Sequence, residues 1–284
     1  RIMAVMKEQG FEPNANARHL KMRQPQAVAV LVKGSQNMLF SDILERVQAK
    51  VALSGEEMFV DYLDEDSNEV ERAAQIYRQR RPKGFMFLGG DLEFFRGAFG
   101  ELNVPSVLLT NNAEELGFGN LSSFATDDEK AGEAAIDYLF ENGHRHLGII
   151  GGNLSVDQIS YRRLKGVYHS IQKNGMEFDK GLQYEPCRYS MEEGYKAARK
   201  LIVKYPGLTA IFALGDVIAL GAMRAIADMG LSVPQDISVI GFDGIASTQY
   251  SIPRLTTLRQ DTEQLAEKGV RALLEGISYG LPPV

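Results

Sequence analysis

From Gln26 onward, short apolar runs rich in β-branched residues alternate with longer amphipathic stretches. The runs at Ala27 to Val32, Met58 to Tyr62, Gly84 to Leu88 and Ser106 to Leu109 have the length of strands, and the stretches near Phe40 to Leu53, Glu69 to Arg80 and Leu92 to Leu102 carry helical spacing. This is a βαβαβαβ series. Fully apolar strands joined by helices make a parallel sheet covered on both faces. The series restarts after Phe124, with a helix near Glu129 to Asn142 and strands at Leu147 to Ile150, Ala210 to Leu214 and Ser238 to Phe242. Helical patterns near Arg163 to Asn174, Glu192 to Tyr205 and Val217 to Met229 lie between them. The pattern predicts an α/β chain of two doubly wound parallel-sheet lobes, residues 26–124 and 125–258. Crossings are expected near Phe124 and near Thr257 to Asp261, with residues 259–284 returning to the first lobe. At 284 residues the chain exceeds the size at which one core usually keeps growing, which also favours two lobes.

The first 25 residues follow a different pattern. Ile2, Val5 and Met6 fall at helical spacing, Gly10 is placed to end that helix, and Pro13 forces the residue before it out of helical geometry. A second short helix can begin after the proline. It pairs Arg18, His19, Lys21 and Arg23 with a single large apolar residue, Leu20, and so has almost nothing to bury. Cations around one apolar residue fit a segment that folds on a polyanion, with the cations on phosphates and Leu20 as a wedge.

Charge sharpens this division. Residues 1–24 carry a net +3 and the remainder −9, so the arm is drawn to phosphates and the body is repelled by them. No run approaches the roughly 20 apolar residues of a membrane span, and no charged-then-apolar leader precedes the first helix. The single cysteine, Cys187, cannot form an internal disulfide, which suits a reducing cytoplasm.

Gly10, Phe11, Pro13, Asn14, Ala17, Arg18 and Leu20 form the pattern Gly-aromatic-x-Pro-Asn-x-x-Ala-Arg-x-Leu. It resembles the end of the DNA-reading headpiece and the hinge helix of the lactose-repressor (LacI/GalR) family of bacterial transcription regulators. The resemblance runs through the chain: Gly143-His144 to Gly151, Ala219-Leu220-Gly221-Ala222, Val233-Pro234-Gln235-Asp236-Ile237 to Asp243, and Pro253-x-Leu255-Thr256-Thr257 are all similar to stretches of that family. It implies two lobes of the type I periplasmic-binding-protein kind, preceded by the remnant of a helix-turn-helix headpiece and a hinge helix. Leu20 then opens a central base step in the minor groove, Ala17 lets paired hinge helices approach, and Asn14 and Arg18 face the DNA backbone. Residues Arg1 to Phe11 resemble only the third headpiece helix. The chain is therefore expected to lack the major-groove helix and to stop before the family's final strands.

Ligands of parallel sheets bind beyond the carboxyl ends of the strands, so candidate residues are sought there. The resemblance assigns Arg163, in the unit Arg163-x-x-Gly166, to an effector's hydroxyls or carboxylate; its alternative is a helix-start salt bridge, and Arg162 is taken as the exposed neighbour. A guanidinium offers paired donors that suit vicinal hydroxyls. Asp243, ending an apolar strand, matches an effector-binding aspartate of the family and is otherwise a turn cap. Asp216 follows a strand as well, but could equally be an N-cap. Gly215 stands where the family often has asparagine. Tyr189 falls where sugar-responsive relatives place an aromatic, with a half-buried loop tyrosine as the alternative. Leu39 and Phe40 occupy the position of paired aromatics after the first strand. Thr110 and Asn111 stand where many relatives have an aspartate, and Gln260 could bond ligand or bridge the lobes.

Enzymatic readings find little support. Leu88-Gly89-Gly90 and Ile150-Gly151-Gly152 lack the spacing of a dinucleotide fingerprint or a P-loop. The histidines show no metal-ligand spacing, and nothing assembles a nucleophile, base and oxyanion donor. No cofactor is expected. Two functions remain open: a homodimeric DNA-binding regulator, most simply a repressor, whose body couples a small effector such as a sugar to operator affinity, and a solute-binding protein feeding a transporter.

Overall fold

The computed structural model describes residues 27–153 and 158–280. The hinge residues singled out above, Asn14, Ala17, Arg18 and Leu20, lie outside the described residues.

The first lobe is a five-stranded parallel sheet in the order β2-β1-β3-β4-β5, built from β1 (Ala27–Lys33), β2 (Glu57–Leu63), β3 (Gly84–Leu88), β4 (Ser106–Leu109) and β5 (Leu121–Phe124). Its central strands bury nearly every residue because helices cover both faces. Ala29, Leu31, Phe85 and Phe87 point one way, into a cluster with Phe95 and Phe99, where the Phe87 and Phe95 rings meet edge to face at 5.1 Å. That side is covered by α2 (Glu69–Arg80) and α3 (Leu92–Ala98). Val28, Val30, Met86 and Leu88 point the other way, toward α1 (Met38–Leu53).

The second sheet has the order β10-β9-β8-β6-β7 and is parallel throughout. It consists of β6 (Leu147–Ile150), β7 (Tyr184–Glu185), β8 (Ala210–Ala213), β9 (Ser238–Asp243) and β10 (Thr256–Arg259). Helices α4 (Asp128–Glu141) and α5 (Ile159–Lys173) cover one face. After the short α6 (Lys180–Gln183), α7 (Met191–Lys204) and α8 (Asp216–Asp228) cover the other. The last helix, α9 (Thr262–Tyr279), crosses back to pack on α1, β3, β4 and β5 of the first lobe. Caps set many helix starts: Asn37, Asn68, Asp91, Asp127, Ser190 and Asp261 each accept a bond from a backbone N–H of the first turn.

Two expectations need correction, and three strands have no counterpart in the sequence pattern. The helix read from Leu92 to Leu102 ends at Ala98 and continues only as a 3-10 turn, Phe99–Glu101; Gly97 and Gly100 weaken helix propensity there. The helix read as starting at Arg163 starts at Ile159, so Arg163 sits in its second turn. Strands β5, β7 and β10 gave no clear apolar run, because they are short and lie toward the sheet edges; β10 has exposed Thr256 and Arg259 at its ends. Among the described residues, no helix is long and apolar enough to cross a membrane.

Candidate functional site

Because both sheets are parallel, the carboxyl ends of their strands gather loops from each lobe around one cavity. The centre of a water-sized sphere can occupy about 70 Å³ of it. Leu39, Phe40, Asn111, Arg163, Tyr189 and Asp243 line it together with Gln260, so seven of the eight effector candidates share one space.

Arg163 is 2 % exposed. Its Nε donates to Asp128 Oδ1 at 2.7 Å, its Nη1 donates to the Leu214 carbonyl at 2.5 Å, and its guanidinium carbon lies 3.7 Å from the Phe242 ring centre. Burial acts to lower its pKa, but Asp128, Tyr189 and Asp243 outweigh that and raise it, so the guanidinium stays charged. The close approach of α4 and α5 makes the ion pair possible. A Cβ on Gly166 would fall 1.9 Å from the Glu129 carbonyl oxygen, and one on Gly132 would fall 2.2 Å from that of Arg163. The glycine of the Arg-x-x-Gly unit therefore holds the helices near enough for Asp128 to meet Arg163.

Asp243 closes β9 with φ of 120°, a left-handed region costly for a residue with a Cβ. Its Oδ1 accepts from Gln260 Nε2 at 2.8 Å, while its Oδ2 is buried and without a partner. Burial pushes its pKa up to about 7, with Arg163 pulling it down and Asp216 pushing the same way as burial. The Tyr189 hydroxyl is also buried and unpartnered. Burial raises its pKa, against the pull of Arg163. Among the described residues only five buried side-chain polar atoms lack a partner, and two of the five are in this wall. Such atoms are uncommon because each costs desolvation free energy, so two in one cavity mark a place for donors and acceptors from a ligand.

Gly215 explains one departure from the family pattern. A Cβ there would approach Tyr189 Cδ1 to 2.9 Å, so the tyrosine ring occupies space that an asparagine side chain would need. Asp216 does not line the cavity and caps no helix. Its Oδ2 accepts from Gly244 and Ile245 N–H at 2.7 and 2.9 Å, and its Oδ1 accepts from Thr257 Oγ1 at 2.6 Å. Both its oxygens go to pinning the turn after β9 beside β10. Burial still leads those bonds and raises its pKa to about 6. Gln260 bonds both ways, donating to Asp243 and accepting from Thr126 Oγ1 at 2.8 Å, which ties the two chain crossings together. Asn111 is 1 % exposed and donates to the Gly90 carbonyl at 3.0 Å while accepting from Asn112 N–H at 2.9 Å.

Several cavity residues escaped the sequence reading. Lys33, the last residue of β1, pairs in the wall with buried Glu69 at 2.7 Å. A lysine ending an otherwise apolar strand was the available signal. Gln158, also in the wall, reaches across the cleft to Asp91 Oδ2 at 2.5 Å. Glu65 accepts from the Tyr189 N–H at 3.0 Å, and Arg188 beside it pairs with Asp64 at 2.5 Å. These are bonds from one lobe to the other, and the sequence separations of 67 and 124 residues hide them.

The description "Periplasmic binding protein-like domain" fits residues 136–283. The HTH-type transcriptional regulator MalR of Clostridium butyricum is 32 % identical over 282 residues, covering 98 % of this chain and 83 % of that protein. Among solved structures, the transcriptional regulator CelR–cellobiose complex superposes with a TM-score of 0.78 at 24 % identity, covering 100 % of this chain and 85 % of the other. The lac repressor dimer bound to operator and the anti-inducer ONPF gives a TM-score of 0.76 at 23 % identity, covering 95 % of this chain and 92 % of the other.

Proposed function

The chain belongs to the lactose-repressor (LacI/GalR) family of transcriptional regulators, and from that premise we propose that its cleft holds a small carbohydrate effector and that its occupancy sets operator affinity. The observation that carries this reading is the half-bonded carboxylate of Asp243. One buried oxygen lacks a partner beside a charged guanidinium and a buried phenol, in a cavity between two lobes. A carboxylate oxygen accepting from a sugar hydroxyl, with Arg163 and the Tyr189 hydroxyl as donors and Leu39 and Phe40 against the ring's apolar face, would satisfy it. The similar regulator solved with cellobiose makes a sugar the first class to test.

In this proposal the role is regulatory rather than catalytic, exercised on cytoplasmic DNA. Residues 26–124 with 259–284 act as one body and 125–258 as the other; 1–25 form the arm that meets DNA through Asn14, Ala17, Arg18 and Leu20. The effector changes the angle between the bodies and hence the spacing of two arms in a homodimer, as a two-fold operator requires. The adjoining exposed Tyr250 and Ile252 offer apolar surface for that association. Fluorescence anisotropy of the full-length protein on operator DNA, with and without carbohydrate, tests the coupling. A shift in operator affinity that Asp243→Ala removes is expected. An unchanged shift in that variant would contradict the proposed site, and Leu20→Ala that alters carbohydrate affinity off DNA would contradict the separation of arm from pocket.

A further inference from the structure

Resting on the carbohydrate reading of this cavity, we infer that it takes an uncharged, hydroxyl-rich ligand and rejects its phosphorylated or carboxylated counterparts, with Glu69 and Asp128 as the residues that impose the choice. Neither carboxylate is part of the cavity wall; each acts on a cation that is. Among the described residues lining the cavity the cationic side chains are Lys33 and Arg163. Lys33 Nζ is held by Glu69 Oε2 at 2.7 Å and lies 4.7 Å from the Phe94 ring centre; Glu69 Oε1 is itself fixed by the Asp91 N–H at 2.6 Å. Arg163 is held by Asp128 at 2.7 Å and by the Leu214 carbonyl. Burial pushes both carboxyl groups up, and the cation facing each pulls the other way. Each cation thus enters the cavity with its charge already matched.

What remains unmatched is an acceptor. Once ionised, Asp243 Oδ2 requires a hydrogen-bond donor, which a hydroxyl supplies and a fully ionised phosphate or carboxylate group does not. The approach is acidic as well. A recess of about 240 Å³ shares Gly34, Glu65 and Tyr189 with the cavity and is bordered by Asp64 and by Glu192 and Glu193, which share Lys196 at 2.7 and 2.8 Å, so its carboxylates outnumber the cations paired with them. Its arginine, Arg188, is already within 4 Å of three carboxylates, those of Asp64, Glu65 and Asp66. An anion in the cavity would lie beside that rim and meet two neutralised cations and an unpartnered carboxylate oxygen, a like-charge arrangement that disfavours binding.

Calorimetric titration of the whole protein with matched pairs at about pH 8, where Asp243 is ionised, tests this: glucose, cellobiose and maltose, each beside its 6-phosphate or uronic acid form. The neutral member is expected to bind at least about a hundredfold more tightly than its anionic partner. Glu69→Gln, which frees the Lys33 charge, is expected to narrow that gap about tenfold or more by gaining affinity for the anion. Because Glu69 is buried, binding of the neutral sugar by the variant at wild-type affinity serves as the check that it is folded, and a folded variant whose gap is unchanged overturns the role given to Glu69. An anionic member that binds as well as or better than its neutral partner overturns the inference while leaving a carbohydrate effector in place. Saturable binding of nucleosides or purines with silence from every sugar pair would instead overturn the carbohydrate reading on which it rests.

Discussion

The two walls of the cleft come from lobes of the same architecture, yet they are chemically opposite. On the first lobe three polar side chains of the wall are bonded within the protein: Lys33 to Glu69, Asn37 through its oxygen to the N–H of Leu39, and Asn111 to Gly90 and Asn112. What that wall offers a ligand is largely apolar, chiefly Leu39 and Phe40, 3 % and 8 % exposed, together with the side chain of Thr110. On the second lobe Asp243 Oδ2 and the Tyr189 hydroxyl are left without partners, around an arginine fixed by two bonds. A shared fold therefore does not mean shared duty. In the proposed reading the second lobe carries recognition, while the first supplies cover and the carboxylates of Glu65 and Asp91 that bond across the cleft. A ligand held by one wall and covered by the other has different contacts in the open and closed arrangements, which is the differential interaction that a conformational switch needs.

The comparison is broken most severely by Asp243→Ala, which should abolish carbohydrate binding and any effector-dependent change in operator affinity while leaving operator binding itself. Arg163→Ala removes a donor and also strands Asp128, 4 % exposed, without its cation, so a loss of about 3–5 kcal/mol in unfolding free energy is expected in denaturant titration. Stability equal to wild type would show that the buried pair is replaceable. Gly215→Asn, with no left-handed backbone to disturb at φ of −166°, should displace the Tyr189 ring and weaken binding about tenfold; undiminished affinity would remove the tyrosine from the recognition wall.

A proton balance sharpens the same contrast. Asp243, raised by burial from 3.8 to about 7, holds its proton in the folded chain over a range where the unfolded chain has lost it. Its contribution to stability is complete below 3.8 and is lost as pH rises through about 7. Asp216, raised to about 6, acts in the same direction over a slightly lower range. The ligand-free protein should therefore lose part of its stability between about pH 4 and pH 7 and level off above that, and Asp243→Asn should flatten that part of a thermal-melt series. Carbohydrate affinity should run oppositely, rising with pH as the accepting carboxylate forms. The smallest effect is expected from Arg188→Ala. Its side chain is 47 % exposed, so its ion pairs should contribute no more than about 1 kcal/mol to stability. A larger loss in denaturant titration would mean that the clamp on Asp64, Glu65 and Asp66 holds the lobes together.

The central strands were legible because a sheet covered on both faces demands continuous apolar runs, and β1, β3, β4, β6, β8 and β9 have them. Strand ends then pointed to Asp243, and family resemblance to Arg163 and Tyr189. Asp216 was misplaced for a physical reason. Following a strand and opening a helix is a local property, whereas its bonds to Gly244, Ile245 and Thr257 depend on how β9, β10 and α8 meet. The Lys33–Glu69 pair was invisible in the same way, since 36 residues separate two side chains that burial brings to 2.7 Å. Local pattern reports which residues are buried along an element. It does not report which polar groups will satisfy one another across elements, and the difference between a finished carboxylate such as Asp216 and an unfinished one such as Asp243 is of that second kind.

The most direct test of the account is calorimetric titration of the protein and of Asp243→Asn, at about pH 8, with the neutral sugar that binds wild type most tightly. The account predicts saturable binding to wild type and binding weakened about tenfold or more in the variant, whose amide can offer only one acceptor where the carboxylate offers two, while the variant melts at least as high as wild type because a buried charge has been removed. Binding to the variant with undiminished affinity would contradict it, since the unpartnered oxygen of Asp243 would then not be where the effector is held.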